Sequence, residues 1–340
     1  MISTHYRPKQ TSAIGMLRSV ALAAFLMIAM IVMDAAFAND QQEPQNIIVE
    51  ARRSGAPVWT ATRTGRKLVL VGAIEDLPDS IRWNPKDLEA AVTQADRVLL
   101  PVQSRVSVGD VFRLTARFPV AGSLPKGTTS ADYLPADVQQ QLQEQMAARS
   151  IENWPTKSFA FLGMALLKQA GSKREEWTGL DTVRRAARKA RVSAEPVGIV
   201  RGKDKVDALL AQSPSVFAPC IAAAVTAARE GPALAKMRGE AWAARDIPAL
   251  MNNPLDRAMA VCWPWGDPVI GETMRAAWLR SLVEDVEPDA FIFALAPLRL
   301  LAERDGVLDR LEAQGFVIEG PAWRLSGEEM TASIEDVEGS

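Results

Sequence analysis

The chain is short of histidine, cysteine and surplus charge. Its single histidine, His5, lies at the extreme N-terminus, and only two cysteines, Cys220 and Cys262, occur in 340 residues. With no imidazole beyond residue 5, neither a Ser-His-Asp nor a Cys-His arrangement can form in the body of the chain. Two cysteines alone cannot build a structural zinc site, which takes four ligands. The charges almost cancel, 39 basic against 41 acidic, so the basic excess of a general nucleic-acid binder is missing. With 48% hydrophobic and 24% charged residues, the composition is that of an ordinary globular protein of one large or two small domains. It argues against disorder, collagen and a disulfide-framework miniprotein.

What is present begins with an export-type leader. Arg7, Lys9 and Arg18 make a basic leader, followed by an apolar run, Val20–Met33. Asp34 ends that run, and Ala36-Phe37-Ala38 supplies the small-x-small pattern of a cleavage site. Fourteen apolar residues match a signal-peptide core and fall short of the ~20 needed to span a bilayer. No cysteine follows to carry a lipid anchor. Residues 1–38 are therefore expected to be a signal peptide cleaved after Ala38, giving a periplasmic or secreted chain. The alternative is an uncleaved anchor, which would be its only membrane contact, and Met16 is a second candidate start. Cleavage removes three basic residues and one acidic one, leaving 36 against 40 and a net charge of −4. In an oxidising compartment Cys220 and Cys262, 42 positions apart, become disulfide candidates. A bridge would contribute roughly 3–4 kcal/mol by loop entropy; two buried free thiols are the other reading.

Patterning along the chain alternates strand and helix at both ends. Val58–Thr62 and Lys67–Val71 are β-rich runs joined by Arg63-Thr64-Gly65-Arg66, which predicts a hairpin. Asn84-Pro85 opens a helix through Ala95, and Arg97–Val102 follows as a buried strand in which Pro101 is awkward. Helical spacing predicts helices over Pro135–Arg149, Lys157–Gln169, Leu180–Arg191, Lys203–Gln212, Ser215–Arg229, Ala233–Arg245 and Met274–Val286, with a short strand at Pro196–Val200. Ala290–Leu295 is a strand, Asp305 caps a helix through Gln314, and Phe316–Glu319 closes the fold. Residues 324–340 carry five acids and few apolar side chains, the composition of a flexible acidic tail. The fold class expected is α/β: a central mixed sheet formed by N- and C-terminal strand-helix units, with a helical middle region.

Several segments carry a more specific likeness. Pro57-Val58-Trp59, Leu70-Val71-Gly72-Ala73-Ile74-Glu75 and Gln94-Ala95-Asp96-Arg97-Val98-Leu99-Leu100-Pro101 occur in order near the start. Leu124-Pro125-Lys126-Gly127-Thr128-Thr129, Leu134-Pro135 and Arg275 with Trp278 lie between the two ends. Ala294-Leu295-Ala296-Pro297, Asp305-Gly306-Val307-Leu308 and Gly315-Phe316-Val317-Ile318 follow near the end. In order and spacing this set resembles the TraB/GumN family, which includes the Tiki-type proteases, over a domain placed at residues 47–320. The resemblance implies a metal-dependent hydrolytic centre built from two Gly-x-x-His motifs and a strand glutamate. This chain departs from the pattern at those positions, where Glu75, Pro297 and Pro101 stand. Proline supplies neither a metal ligand nor a base, and a metalloprotease needs about three protein ligands. No metal or other cofactor is therefore expected.

The remaining options use carboxylates or other polar pairs. Glu75-Asp76, with Asp79 nearby, sits where a strand meets a loop, and paired carboxylates can serve as general acid and base; a solvated turn is the plainer reading. Ser123-Leu124-Pro125-Lys126 has the S-x-x-K spelling, but Pro125 disfavours the helix that the motif needs. Gly122 to Thr129 imitates a P-loop without its lysine. Arg184, Arg185, Arg188, Lys189 and Arg191 are read as a solvated basic helix face, with a phosphate or acidic-polymer contact as the alternative. Trp263-Pro264-Trp265 either packs the core or lines a partner groove. Together these readings lead to the expectation of an exported, non-catalytic binding or interaction protein of the cell envelope. Its partner would be an envelope protein, a peptide or a small ligand, and not a nucleic acid. The competing expectation is a metal- or carboxylate-dependent hydrolase or peptidase using Glu75 and Asp76.

Overall fold

The computed structural model describes residues 51–324, apart from 111, 113–121, 150, 152, 174–176, 263, 285, 286 and 288. The expected signal peptide at residues 1–38 and the expected acidic tail beyond Arg324 lie outside the described residues. The chain opens with strands β1 (Val58–Arg63) and β2 (Arg66–Ala73), then helix α1 (Glu89–Gln94) and strands β3 (Arg97–Leu100) and β4 (Gln103–Arg105). The middle holds α2 (Ala136–Ala147), α3 (Phe159–Gln169), α4 (Leu180–Ala190), β5 (Ser193–Pro196), β6 (Ile199–Arg201) and α5 (Gly202–Ala211). It continues with α6 (Ala218–Glu230), α7 (Ala233–Ala244), α8 (Ile247–Asn252), α9 (Pro254–Val261) and α10 (Pro268–Leu279). Strand β7 (Phe291–Pro297), helices α11 (Leu298–Ala302) and α12 (Val307–Ala313), and strand β8 (Val317–Glu319) complete it.

One six-stranded sheet organises the molecule, in the order β5-β3-β7-β2-β1-β8. Its centre is parallel: β3 pairs with β5 and β7, and β7 pairs with β2 from Lys67 opposite Phe291 to Ala73 opposite Pro297. Beyond β2 the sheet turns antiparallel through β1 to β8. A strand buried on both faces must be apolar throughout, which is why β2 from Leu68 and β7 from Ile292 are uninterrupted apolar runs with no alternation. The β1–β2 hairpin turns at Thr64-Gly65, and Gly65 takes the left-handed φ of 78° that such a tight reversal asks of one residue. N- and C-terminal units build most of this mixed sheet, as expected, and the middle contributes its edge strand β5.

The middle helices enclose a second core. Leu162, Leu166, Cys220, Ile221, Val225 and Leu255 are buried together where α3, α6 and α9 pack. Cys220 and Cys262 are joined by a disulfide, with S–S 2.05 Å, which ties the start of α6 to the residue following α9.

Several boundaries differ from the sequence expectation for local reasons. β3 stops at Leu100, so Pro101 falls just past the strand and removes no ladder bond there. The Pro196–Val200 strand resolves into two, β5 in the main sheet and β6 paired with β4. Helix α10 starts at Pro268, six residues before Met274, because Asp267 accepts hydrogen bonds from the amides of Val269 and Ile270 as an N-cap. It passes into a π-turn over Arg280–Glu284. Asp305 is not a helix cap: it sits at φ 56°, and its amide donates to Asp309 while Gly306 takes the cap position. Helices α8 and α9 escape a periodicity search because each is short and has proline in its first turn, where proline is tolerated. Asp246 and Asn253 cap them.

Candidate functional site

The C-terminal edge of parallel strands is where an α/β sheet presents its loops, and the marked positions gather there. Register puts Ala73 of β2 opposite Pro297, the last residue of β7, and Glu75 follows directly after β2. Glu75 and Pro297 line one pocket of about 50 Å³, whose walls include Ile74, Leu298, Met259, Trp177 and Trp265. Pro101 stands buried at the end of the next strand, β3, and does not line that pocket. The structure therefore brings two of the three positions into one site and leaves the third on the neighbouring strand end.

Asp76 goes elsewhere. It is buried, adopts a left-handed φ of 62°, and accepts a 2.7 Å hydrogen bond from the Ser172 hydroxyl beyond α3. Its neighbour Ile74 is held at the carbonyl by both the amide and the hydroxyl of Thr178. This backbone turn points Asp76 away from the pocket that Glu75 lines, so the two carboxylates do not share it. Asp79 is exposed.

The polar part of the pocket comes from three residues the sequence does not flag. Arg238 on α7 donates through Nε to Asp256 Oδ1 at 2.8 Å and through Nη1 to the Glu75 carbonyl at 2.7 Å. Arg299 on α11 donates to Asp256 Oδ2 through Nε at 3.0 Å and through Nη2, and also reaches the Met251 carbonyl at 3.3 Å. Asp256, on α9, thus lies between two guanidiniums with both oxygens engaged. It is 3% exposed and Arg238 is 5% exposed, a burial that charged groups tolerate only when paired in this way. Arg238 had one sequence signal: it shares the buried stripe of α7 with Leu234, Gly239 and Trp242, where an apolar side chain is the rule. Asp256 resembles an ordinary first-turn acid, and Arg299 follows a strand end, so neither stands out.

Among the described residues, Glu75 and Asp256 are the pocket's only carboxylates, and no three His, Cys, Asp or Glu side chains converge. Asp256 spends both oxygens on arginine, and two guanidiniums beside it oppose a cation. This donor set does not fit a divalent metal.

The family model for TraB/PrgY/gumN proteins matches residues 57–320, which takes in every described strand. The chain belongs to the TraB/PrgY/gumN family. No curated protein and no solved structure matches it. For this TraB/PrgY/gumN member, the pocket at the ends of β2 and β7 lies between the two segments that carry the family likeness. Trp265, from the Trp-Pro-Trp segment, lines that pocket and meets Trp177 edge to face at 6.5 Å between centroids; Trp263 lies outside the described residues. The basic residues of α4 lie away from its buried face, which is formed by Leu180, Thr182, Val183, Ala186 and Ala187. Ser123 and Lys126 lie in extended and turn backbone with no helix to bring them together.

Proposed function

We propose that the chain is an exported TraB/PrgY/gumN protein whose strand-end pocket binds a ligand or partner and carries out no hydrolysis. It would act in the cell envelope, with an envelope protein, a peptide or a small molecule as its partner. One observation carries the reading: apart from Glu75, the charged groups of the pocket are an Arg238–Asp256–Arg299 cluster in which Asp256 is fully engaged, not a set of metal ligands or a base beside a nucleophile. A hydrolytic site needs a group that can take up a proton or polarise a bond. Asp256 is committed to two arginines, and Pro297 and Pro101 offer no donor. The carboxylate-pair alternative loses support because Asp76 is turned onto Ser172.

The test is direct. The exported protein is purified, its bound metal is quantified, and peptide and ester hydrolysis are assayed beside Glu75→Ala. A folded, metal-free, inactive protein is expected. Stoichiometric metal, or turnover abolished by Glu75→Ala, would overturn the reading.

A further inference from the structure

We infer that the pocket at the ends of β2 and β7 is a carboxylate-binding site, with the anion seated on Arg238 and Arg299. The inference rests on the reading of this pocket as a binding site and names the chemistry it takes.

Hydrogen-bond capacity is the first ground. Each guanidinium has five N–H donors. Asp256, the Glu75 carbonyl and the Met251 carbonyl use only some of them, and among the described residues Nη2 of Arg238 and Nη1 of Arg299 have no acceptor. Neither nitrogen is among the buried side-chain atoms that lack a partner, so both reach solvent, and the pocket is the opening that the two residues share. Arg238 is otherwise 95% covered, so its remaining donors are held in place by the fold and not by a mobile surface chain.

Charge and size set the ligand class. Two guanidiniums face two carboxylates, Asp256 and Glu75, so the pocket has no net charge and selects its ligand through the spare N–H donors. A monoanion meets less repulsion from Glu75 than a dianion such as phosphate does. A volume of about 50 Å³ is far below the ~300–1,000 Å³ of pockets that enclose whole ligands. It has room for a terminal group, with the rest of the molecule outside against Trp177 and Trp265. A planar carboxylate also matches the fork geometry of arginine, and Asp256 shows that both guanidiniums accept a carboxylate as partner at this spot. Two sources share this chemistry, a small organic acid and the free C-terminus of a peptide.

The experiment titrates the exported protein with N-acetyl-alanyl-alanine, its C-terminal amide, propionate and inorganic phosphate. Binding is followed by calorimetry and by quenching of tryptophan fluorescence. The free acid is expected to bind at least tenfold more tightly than its amide, and phosphate more weakly than the acid. Propionate binding as well as the peptide identifies a small-acid site; a tenfold advantage for the peptide identifies a chain terminus. Arg299→Met should weaken the acid at least tenfold, and Glu75→Gln should tighten it by removing a like charge. Equal binding of acid and amide, or no binding of either by folded wild-type protein, would overturn the inference without needing any variant. An inert, metal-free protein that ignores carboxylates refutes this inference alone, whereas turnover or bound metal refutes the non-catalytic reading.

Discussion

Asp256→Asn is the sharpest perturbation of this molecule. The substitution keeps the shape of the side chain and removes the one negative charge between Arg238 and Arg299. Side-chain exposures of 5% for Asp256 and 7% for Arg238 place that pair out of solvent, while Arg299 at 23% keeps some hydration. Removing one member of a buried ion pair typically costs about 3–5 kcal/mol, because the partner's charge stays buried without compensation. Asp256 serves two arginines, of which only Arg238 is fully buried, so that range applies to Arg238 and the contribution of Arg299 is discounted for its exposure. The expected loss is therefore about 3–5 kcal/mol, a large share of the ~5–15 kcal/mol that holds a typical domain together.

The damage should also spread to the pocket. Arg238 fixes the Glu75 carbonyl, and without Asp256 its guanidinium has little reason to remain beside that strand end. Urea unfolding of wild type and variant gives the energy, and amide hydrogen exchange at residues 74–76 gives the local effect. Arg299→Met should cost less, about 1–2 kcal/mol, since Asp256 keeps Arg238. The joint replacement Arg238→Met, Asp256→Leu, Arg299→Met should recover part of the loss, as apolar substitutes for buried ion clusters often do. A loss below about 1 kcal/mol for Asp256→Asn, with an unchanged denaturant slope, would refute the assignment of this cluster as the polar core of the site.

Three further outcomes follow from other contacts. Opening the Cys220–Cys262 bridge, which closes 42 residues, should lower stability by about 4 kcal/mol and shift the urea midpoint in reductant; an intact mass that does not rise by two hydrogens on reduction would exclude the bridge. Two hydrogen bonds from Arg310, supported by one from Arg275, hold the Glu272 carboxyl well below its ordinary range, at about 2. Its folded value is depressed, so the link it makes between α10 and α12 stabilises the fold above pH ~4.3 and is lost as pH falls towards 2. An NMR titration of Glu272 should find that low midpoint, and Arg310→Gln should return it towards 4.5; a midpoint near 4.5 in wild type contradicts the contact. Gly72→Ala should cost about 1–3 kcal/mol, because its Cβ would stand 3.0 Å from the Trp59 ring and 3.1 Å from Leu298; an unchanged melting temperature would show that those neighbours yield freely.

Much of the architecture is legible in sequence because its causes are local. The β1–β2 hairpin follows from two β-rich runs around Gly65, and the central strands follow from apolar runs with no polar alternation. The capped and amphipathic helices of the middle region follow from spacing. The site is different in kind. Arg238 and Asp256 are 18 residues apart, and Asp256 and Arg299 are 43 apart, on three helices whose arrangement no window of sequence contains. Asp76 sits beside Glu75 in sequence, so adjacency suggests a pair, yet a left-handed backbone at Asp76 sends the two carboxylates to different surroundings. Pattern reveals which residues must be buried; it does not reveal which buried charges meet.

The position of the site also explains how family likeness in the sheet is compatible with varied residues at the strand ends. The β3 ladder on β7 runs from Arg97 opposite Ile292 to Leu99 opposite Ala294, so Pro101 lies beyond it. Pro297 is the final residue of β7, paired only at its very end with Ala73. A proline in the middle of either strand would remove a ladder hydrogen bond; at the end it removes little or none. The sheet is held by Leu68 to Val71 and Ile292 to Leu295, all buried, and none of these is a strand-end group. At Gly72, Trp59 and Leu298 leave only tight space for a Cβ, a packing demand independent of what stands at Glu75. Strand-end side chains are thus nearly independent of sheet stability. Exchange there can alter the lining of the pocket while leaving the fold's own requirements intact.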